Sequence, residues 1–288
     1  MSEAIKGGEF LVKDVEAKDI FTPEEWSEEQ QMIAQMCKDF INNEVKQHFD
    51  EIDSQSNPTL VPSLMEKAGE LGLLGLSVPE DLGGMGVDFK TSMLATEALG
   101  SGHSFSVAYA AHTGIGTLPL LYYGNAEQKA KYIPKLASGE WKAAYCLTEP
   151  SAGSDANSGK TKAELTEDGK HYIVNGQKMW ITNGGFANLF TVFAKIGDDE
   201  KLTAFLIEAD SEGISLNPEE KKMGIKGSST RQVFFNNVKV PVENMLSERE
   251  NGFKIAVNIL NIGRIKLAGA CIGGSKVAIS DSVKYAKE

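Results

Sequence analysis

The stretch "YCLTEPSAGSD", residues 145–155, begins as a β-strand and ends as neither strand nor helix. A strand that stops on Thr-Glu-Pro and runs into Ser-Ala-Gly-Ser-Asp leaves small side chains and backbone N–H groups to be satisfied. Ser, Gly and Asp are ordinary turn formers, so a plain strand-to-loop transition accounts for the composition. The same residues also suit an anion: Thr148 presents a hydroxyl, while Gly153 and Ser154 offer a backbone N–H and an Oγ to a group such as a pyrophosphate. A second stretch, "KMWITNGG" at residues 178–185, has the same character. There Trp180 is either a core residue of a strand or a surface laid against a planar ring, with Thr182 donating to that ring.

Both stretches sit in a region of short β-branched and aromatic runs: "KAAYCLT", "KTKAEL", "HYIVNGQKMWIT", "LFTVFAKI", "KLTAFLIEA" and "RQVFFNNVKV". Turn signals such as "EDGK" and "IGDDEK" separate them, which predicts an antiparallel β domain of barrel or sandwich type over residues 139–246. Upstream, up to Ser138, nothing reads as a strand. "FTPEEW" offers Thr22 as an N-cap, Pro23 at the first helical position and Glu25 at the capping-box position, with Met32, Met36 and Phe40 following one turn apart as a core face. Further helices are predicted in "PSLMEKAGELGLL", from Lys90 to Leu99, from Ser104 to Ala111, and in "NAEQKAKYIPKL", where Asn125 and Gln128 form a capping pair. "VPEDLGGMGVD" is a loop.

Downstream, the chain from Glu250 to Glu288 reads as one helix, carrying Phe253, Val257, Leu260 and Leu267 among Gly263, Gly269, Gly273 and Gly274. At about 1.5 Å per residue it would reach on the order of 58 Å, and its broad apolar and small-residue face calls for partner helices. No Gly or Pro stop signal appears at "VKYAKE". The expectation is an α+β chain with an α-helical domain over residues 1–138, a β domain over 139–246, and the start of a truncated helical bundle over 247–288.

Composition narrows the function classes. The 288 residues are 41% hydrophobic and 24% charged, as in a globular protein, and 40 Asp and Glu against 29 Lys and Arg give a net charge of -11. Such a surface repels nucleic-acid phosphates and anionic lipid, so no nucleic-acid partner is expected. Cys37, Cys146 and Cys271 are isolated, and the four histidines show no metal-ligand spacing, so each histidine is expected at the surface or in a loop. No GxSxG or Cys/His pattern marks a hydrolase. The basic residues Lys222 and Lys226 read as solvated faces. With no leader pattern and no run of about 18 apolar residues, a cytoplasmic protein without a membrane span is expected.

Four motifs in fixed order, "YCLTEPSAGSD", "NGQKMWITNGG", "KKMGIKGSSTRQVFFNNVKVP" and "GFKIAVNILNIGR", resemble the acyl-CoA dehydrogenase family, its long-chain to very-long-chain branch most closely. The resemblance covers the chain from about Phe21 onward. It implies an α-helical N-terminal domain, a β-barrel middle domain that binds FAD, and the first helix of a C-terminal four-helix bundle. Tyr145, Leu147, Thr148, Gly153, Ser154, Trp180, Ile181 and Thr182 would then line the flavin. Ser154, Asn261 and Arg264 would lie toward the CoA part of a fatty acyl-CoA, and Val107 and Ala111 at the floor of the acyl pocket.

In the family a glutamate removes the α-proton while hydride leaves the β-carbon for flavin, giving a trans-2-enoyl-CoA. The resemblance places that glutamate beyond Glu288; at an alternative position early in the bundle helix this chain has Gly263. It also implies that an Arg-x-Gln-Phe-Gly FAD signature follows "KYAKE", that Lys226 stands where many relatives have Arg, and that this chain alone is inactive. The implied partners are an electron-transfer flavoprotein and, in the whole protein, further copies in a dimer or tetramer. Acyl-CoA oxidase or nitroalkane oxidase chemistry, or a non-catalytic acyl- or flavin-binding module, are the alternative readings.

Overall fold

The computed structural model describes Ile5 and residues 7–288. Helix α1 (Glu28–Phe40) starts after Ser27 rather than at Pro23. Ser27 Oγ accepts from the Gln30 N–H at 3.2 Å and Gln30 Oε1 accepts from the Ser27 N–H at 3.0 Å, a complete capping box. Thr22 precedes only a 3-10 turn, Pro23–Glu25, and caps nothing with its side chain, because Trp26 returns to an extended conformation. The buried face of α1 is therefore Ile33, Ala34, Cys37 and Phe40, while Met32 is 66% exposed. Of the predicted face, Phe40 is buried and Met36 packs against the core, so the expectation is corrected at Met32 alone.

A π-helical turn, Ile41–Val45, leads to α2 (Phe49–Ser54), α3 (Leu60–Glu70), α4 (Phe89–Leu99) and α5 (Ser104–Ala110). A second π-helical turn, Ala111–Gly116, is followed by α6 (Leu118–Tyr123) and α7 (Ala126–Ser138). The α7 start is the predicted one: Asn125 Oδ1 accepts from the Gln128 N–H at 2.8 Å, and Gln128 Oε1 from the Asn125 N–H at 3.1 Å. Gln128 Nε2 also donates to the carbonyls of Glu243 and Met245, at 2.7 and 2.9 Å, which ties the helical region to the sheet.

The sheet strands are β1 (Ala143–Cys146), β2 (Lys162–Leu165), β3 (His171–Thr182), β4 (Leu189–Ile196), β5 (Thr203–Glu208), β6 (Ile214–Leu216), β7 (Thr230–Pro241) and β8 (Met245–Leu246). Their order is β6-β7-β3-β2-β4-β5-β8, with β1 also on β4. Two expectations are corrected here. Among the described residues β6 and β8 end the path, so the sheet is open rather than a closed barrel. It is also mixed, since β1 and β2 both run parallel to β4. Cys146 faces Val192 and Lys162 faces Lys195, so the two strands share one edge of β4 and the chain leaves that edge between them.

Helix α8 (Gly252–Tyr285) lies along α4 through glycines rather than through its large apolar residues. A Cβ on Gly273 would stand 1.9 Å from the Glu97 carbonyl oxygen, and one on Gly100 would stand 2.3 Å from that of Ala270. The main chains themselves are in contact. Leu267 is 62% exposed, and Phe253, Ile265, Ile272 and Ile279 also face outward. By length and composition α8 is long and apolar enough to cross a membrane.

Two polar residues depart from the sequence reading. His112 is fully buried where the helices meet the sheet. Its Nε2 donates to the Leu136 carbonyl and its Nδ1 accepts from the Ala143 N–H, both at 3.0 Å. Lys222 is partly buried and donates to the Ser228 carbonyl and, at 2.8 Å, to Thr230 Oγ1, so it is a structural tether rather than part of a solvated face.

Candidate functional site

Successive residues of a strand point to opposite faces, so regular alternation would put Lys178 and Trp180 on the same side of β3. The pairing with β7 prevents this. Lys178 faces Val233 and Ile181 faces Arg231, three steps on β3 against two on β7, which inserts one extra residue. Trp180 absorbs the bulge at φ 60°, a left-handed conformation rare for an aromatic residue. Lys178 and Ile181 consequently point into the core, while Trp180 is turned out and is 54% exposed.

The bulge also joins the two site stretches. The Met179 N–H donates to the Thr148 carbonyl at 2.8 Å, placing the end of the β1 segment against β3 beside Trp180. Among the described residues the hydroxyls of Thr148, Ser154 and Thr182 make no hydrogen bond. Gly153 and Ser154 are exposed, and a Cβ on Gly153 would meet nothing within 4 Å. Tyr145 and Leu147 are buried, and the Tyr145 hydroxyl has no partner. Burial pushes the Tyr145 phenol well up, so it remains a neutral donor.

Asn183, which sequence reasoning passed over, closes this end of β3. It is fully buried at φ 64°, and its Nδ2 donates to the Ala108 carbonyl of α5 at 2.9 Å while its Oδ1 has no partner. The helix carrying half-buried Val107, with buried Ala111 at the start of the π-helical turn that follows it, is thereby attached to the Trp180 strand. Asn261 and Arg264 are exposed on α8 and bond each other, Nη1 to Oδ1 at 2.7 Å. Between them, a Cβ on Gly263 would lie 3.7 Å from Ile115 Cγ2, in the π-helical turn that follows α5.

Beneath the exposed residues lies a buried ion pair that sequence reasoning also missed. Lys178 Nζ donates to Glu149 Oε1 at 2.7 Å, to the Phe193 carbonyl at 2.6 Å and to the Leu147 carbonyl at 3.2 Å. Burial tends to raise the Glu149 carboxyl, but the Lys178 ammonium and the bonds it receives outweigh this and hold it below the usual carboxylate range. All three ammonium donors have acceptors; burial, the largest influence, lowers Lys178, and the Glu149 carboxylate beside it opposes that shift.

The residues fit a flavin dinucleotide. An outward-turned indole offers a flat apolar face to a ring system. The hydroxyls of Thr148 and Thr182 suit the ring's polar edge, while the Tyr145 hydroxyl, buried without a partner, lies in the wall behind. The Gly153 and Ser154 N–H groups and Ser154 Oγ suit a diphosphate.

Residues 27–140 match the family "Acyl-CoA dehydrogenase, N-terminal domain" and residues 144–238 the family "Acyl-CoA dehydrogenase, middle domain". A "Probable acyl-CoA dehydrogenase" of Bacillus subtilis is 51% identical over 283 residues, 98% of this chain and 47% of that protein. The human "Very long-chain specific acyl-CoA dehydrogenase, mitochondrial" is 48% identical over 227 residues, 75% of this chain and 34% of that one. Among solved structures, acyl-CoA dehydrogenase complexed with FAD from Bacillus anthracis superposes with a TM-score of 0.94 at 48% identity, covering 98% of this chain and 48% of the other. Butyryl-CoA dehydrogenase from Megasphaera elsdenii gives 0.85 at 33%, covering 93% and 70%. The chain spans about half the length of its Bacillus subtilis relative and about a third of the human one.

Proposed function

Since the chain belongs to the acyl-CoA dehydrogenase family, we propose that it carries the flavin- and acyl-binding part of an FAD-dependent enzyme that converts a long-chain fatty acyl-CoA to its trans-2-enoyl-CoA. The observation that supports this most is the bulge that turns Trp180 outward, with the adjacent Met179 N–H bonded to the Thr148 carbonyl at 2.8 Å. FAD, when bound, supplies the hydride acceptor. Trp180 packs against the ring, and Thr148 and Thr182 donate to its edge, where preorganised donors favour negative charge. Gly153 and Ser154 hold the diphosphate, with Tyr145, Leu147 and Ile181 as the wall behind. Asn261 and Arg264 bind the CoA portion, and the general base is assigned to no residue of this chain. An electron-transfer flavoprotein as acceptor, and a dimeric or tetrameric whole protein, complete the reading.

Titrating the chain with FAD and following flavin fluorescence polarisation tests the cofactor assignment. Saturable binding is expected, with Trp180→Ala weakening it about tenfold, as the loss of one ring contact plus its burial suggests. Because Trp180 is exposed, the variant should unfold at the wild-type temperature. Equal binding by the variant, or none by the wild type, defeats the assignment.

Chain length is tested in the chain joined to the remaining half of its Bacillus subtilis relative. Val107 and Ala111 carry small side chains, which would give a longer tail room to extend, each buried methylene contributing roughly 0.8 kcal/mol. We expect kcat/KM to favour palmitoyl-CoA over butyryl-CoA, and Ala111→Glu to shift the optimum to shorter chains. A maximum at butyryl-CoA in the unsubstituted enzyme overturns the open-floor argument.

A further inference from the structure

The residues assigned to the diphosphate sit on a part of the chain with little regular structure to hold it. Between β1 and β2 the chain leaves the edge of β4 after Cys146 and returns at Lys162. Apart from a tight turn in which Glu149 and Ala152 exchange backbone bonds at 3.1 Å, and a 3-10 turn at Ala156–Ser158, it has no repeating hydrogen bonds of its own. A surface excursion of this kind is ordinarily among the first parts of a fold to open.

Here both limbs are tied to one place. Lys178 donates to the Leu147 carbonyl and to Glu149 on the outgoing limb, and to Phe193 on β4. The Glu149 carboxylate accepts from the N–H groups of Lys160 at 2.5 Å and Thr161 at 3.1 Å on the returning limb. Gly159 makes the approach possible, because a Cβ there would stand 3.0 Å from Glu149 Oε1. Both side chains are almost wholly withdrawn from solvent. A buried ion pair is a poor source of net stability, since an apolar pair of similar volume often does as well or better. An apolar pair, however, could not grip four main-chain groups from three segments. The same bulge that sends Lys178 inward sends Trp180 outward, so one short piece of β3 both anchors the loop and presents the ring.

We propose that the buried Glu149–Lys178 pair is a positioning device that clamps both ends of the 149–160 loop to β3, so that Thr148, Gly153 and Ser154 stand in register with Trp180 for the dinucleotide. The role in cofactor binding rests on the proposed function; the clamping of the loop does not.

The test compares wild type with Glu149→Gln/Lys178→Met, which removes both charges together and leaves no unpaired ion in the core, and with Glu149→Gln alone, which keeps an acceptor for Lys178 should the double variant not fold. Amide hydrogen exchange is followed in residues 149–160 and, as a control, in β5, at a temperature where circular dichroism shows each protein folded. FAD affinity and the visible bands of the bound flavin are measured on the same samples. We expect faster exchange confined to 149–160, FAD binding weakened about 10- to 100-fold, as misplacement of a binding group by about 1 Å produces, and altered flavin bands. A purely stabilising pair would instead speed exchange in β5 as well and leave affinity and bands unchanged in the folded protein; that result overturns the proposal. If the wild type binds no FAD, the functional reading fails, while the exchange data still decide whether the pair clamps the loop.

Discussion

Replacing His112 with leucine is expected to lower the stability of the chain by about 1–3 kcal/mol, the cost of leaving the buried Ala143 N–H without a partner, since the Leu136 carbonyl keeps the Gly139 N–H at 3.4 Å. The imidazole is held in one tautomer, with the proton on Nε2 for the Leu136 carbonyl and the lone pair of Nδ1 facing the Ala143 N–H. Leucine fills much of the same volume and satisfies neither group. Urea unfolding monitored by circular dichroism measures the loss, and a change below about 1 kcal/mol would mean that the neighbouring main chain finds other partners.

The same residue sets an acid dependence. Burial, the largest influence, lowers His112 from 6.5 to about 4, because the imidazolium cannot be solvated there. The unfolded chain takes up a proton that the folded chain refuses. Its contribution is therefore complete above about pH 6.5 and is lost as pH falls toward 4, by roughly 3 kcal/mol in all. In His112→Leu that slope should disappear. Glu149, held below 4.5, acts at lower pH, its contribution being lost only as its carboxylate protonates.

Gly273→Val should detach α8 from α4. The first added carbon would lie 1.9 Å from the Glu97 carbonyl oxygen, an atom that moves only if its helix moves. Overpacking usually costs about 1–3 kcal/mol, and a displaced backbone contact belongs at or above the upper end. Gly274 is the control, since a Cβ there would meet the Gly100 carbonyl at an ordinary 3.6 Å. Gly274→Ala should leave stability unchanged or raise it by about 0.5–1 kcal/mol through helix propensity. Melting temperatures and amide exchange along α8 distinguish the two. Equal stability of Gly273→Val and wild type would show that the helices are not in main-chain contact.

Much of this architecture was legible because its signals are local. The capping pair at Asn125 and Gln128 and the turn-bounded β-branched runs need only neighbouring residues to be read. The start of α1 was misplaced because Thr22-Pro23-Glu25 satisfies the same rules as Ser27 and Gln30, and only the extended Trp26 decides between them. Strands β6 and β8 are too short to show a period, and the parallel placement of β1 and β2 on β4 is a matter of long-range pairing. At the site, sequence could name Trp180 but could not say which side of the sheet it faces, since that depends on one extra residue in β3 relative to β7. The partnership of Glu149 and Lys178, and the burial of His112 within a small-residue stretch, leave no mark in local pattern.

The shared edge of β4 has a consequence for how such a fold can vary. Because the chain departs opposite Val192 and rejoins opposite Lys195, the length of what lies between does not alter the pairing of any strand. Residues can be inserted into or deleted from that excursion without a frameshift in the sheet, provided the few groups gripped at its ends remain. The sheet thus contains a seam at which ligand preference can diversify among descendants while the surrounding architecture is inherited intact.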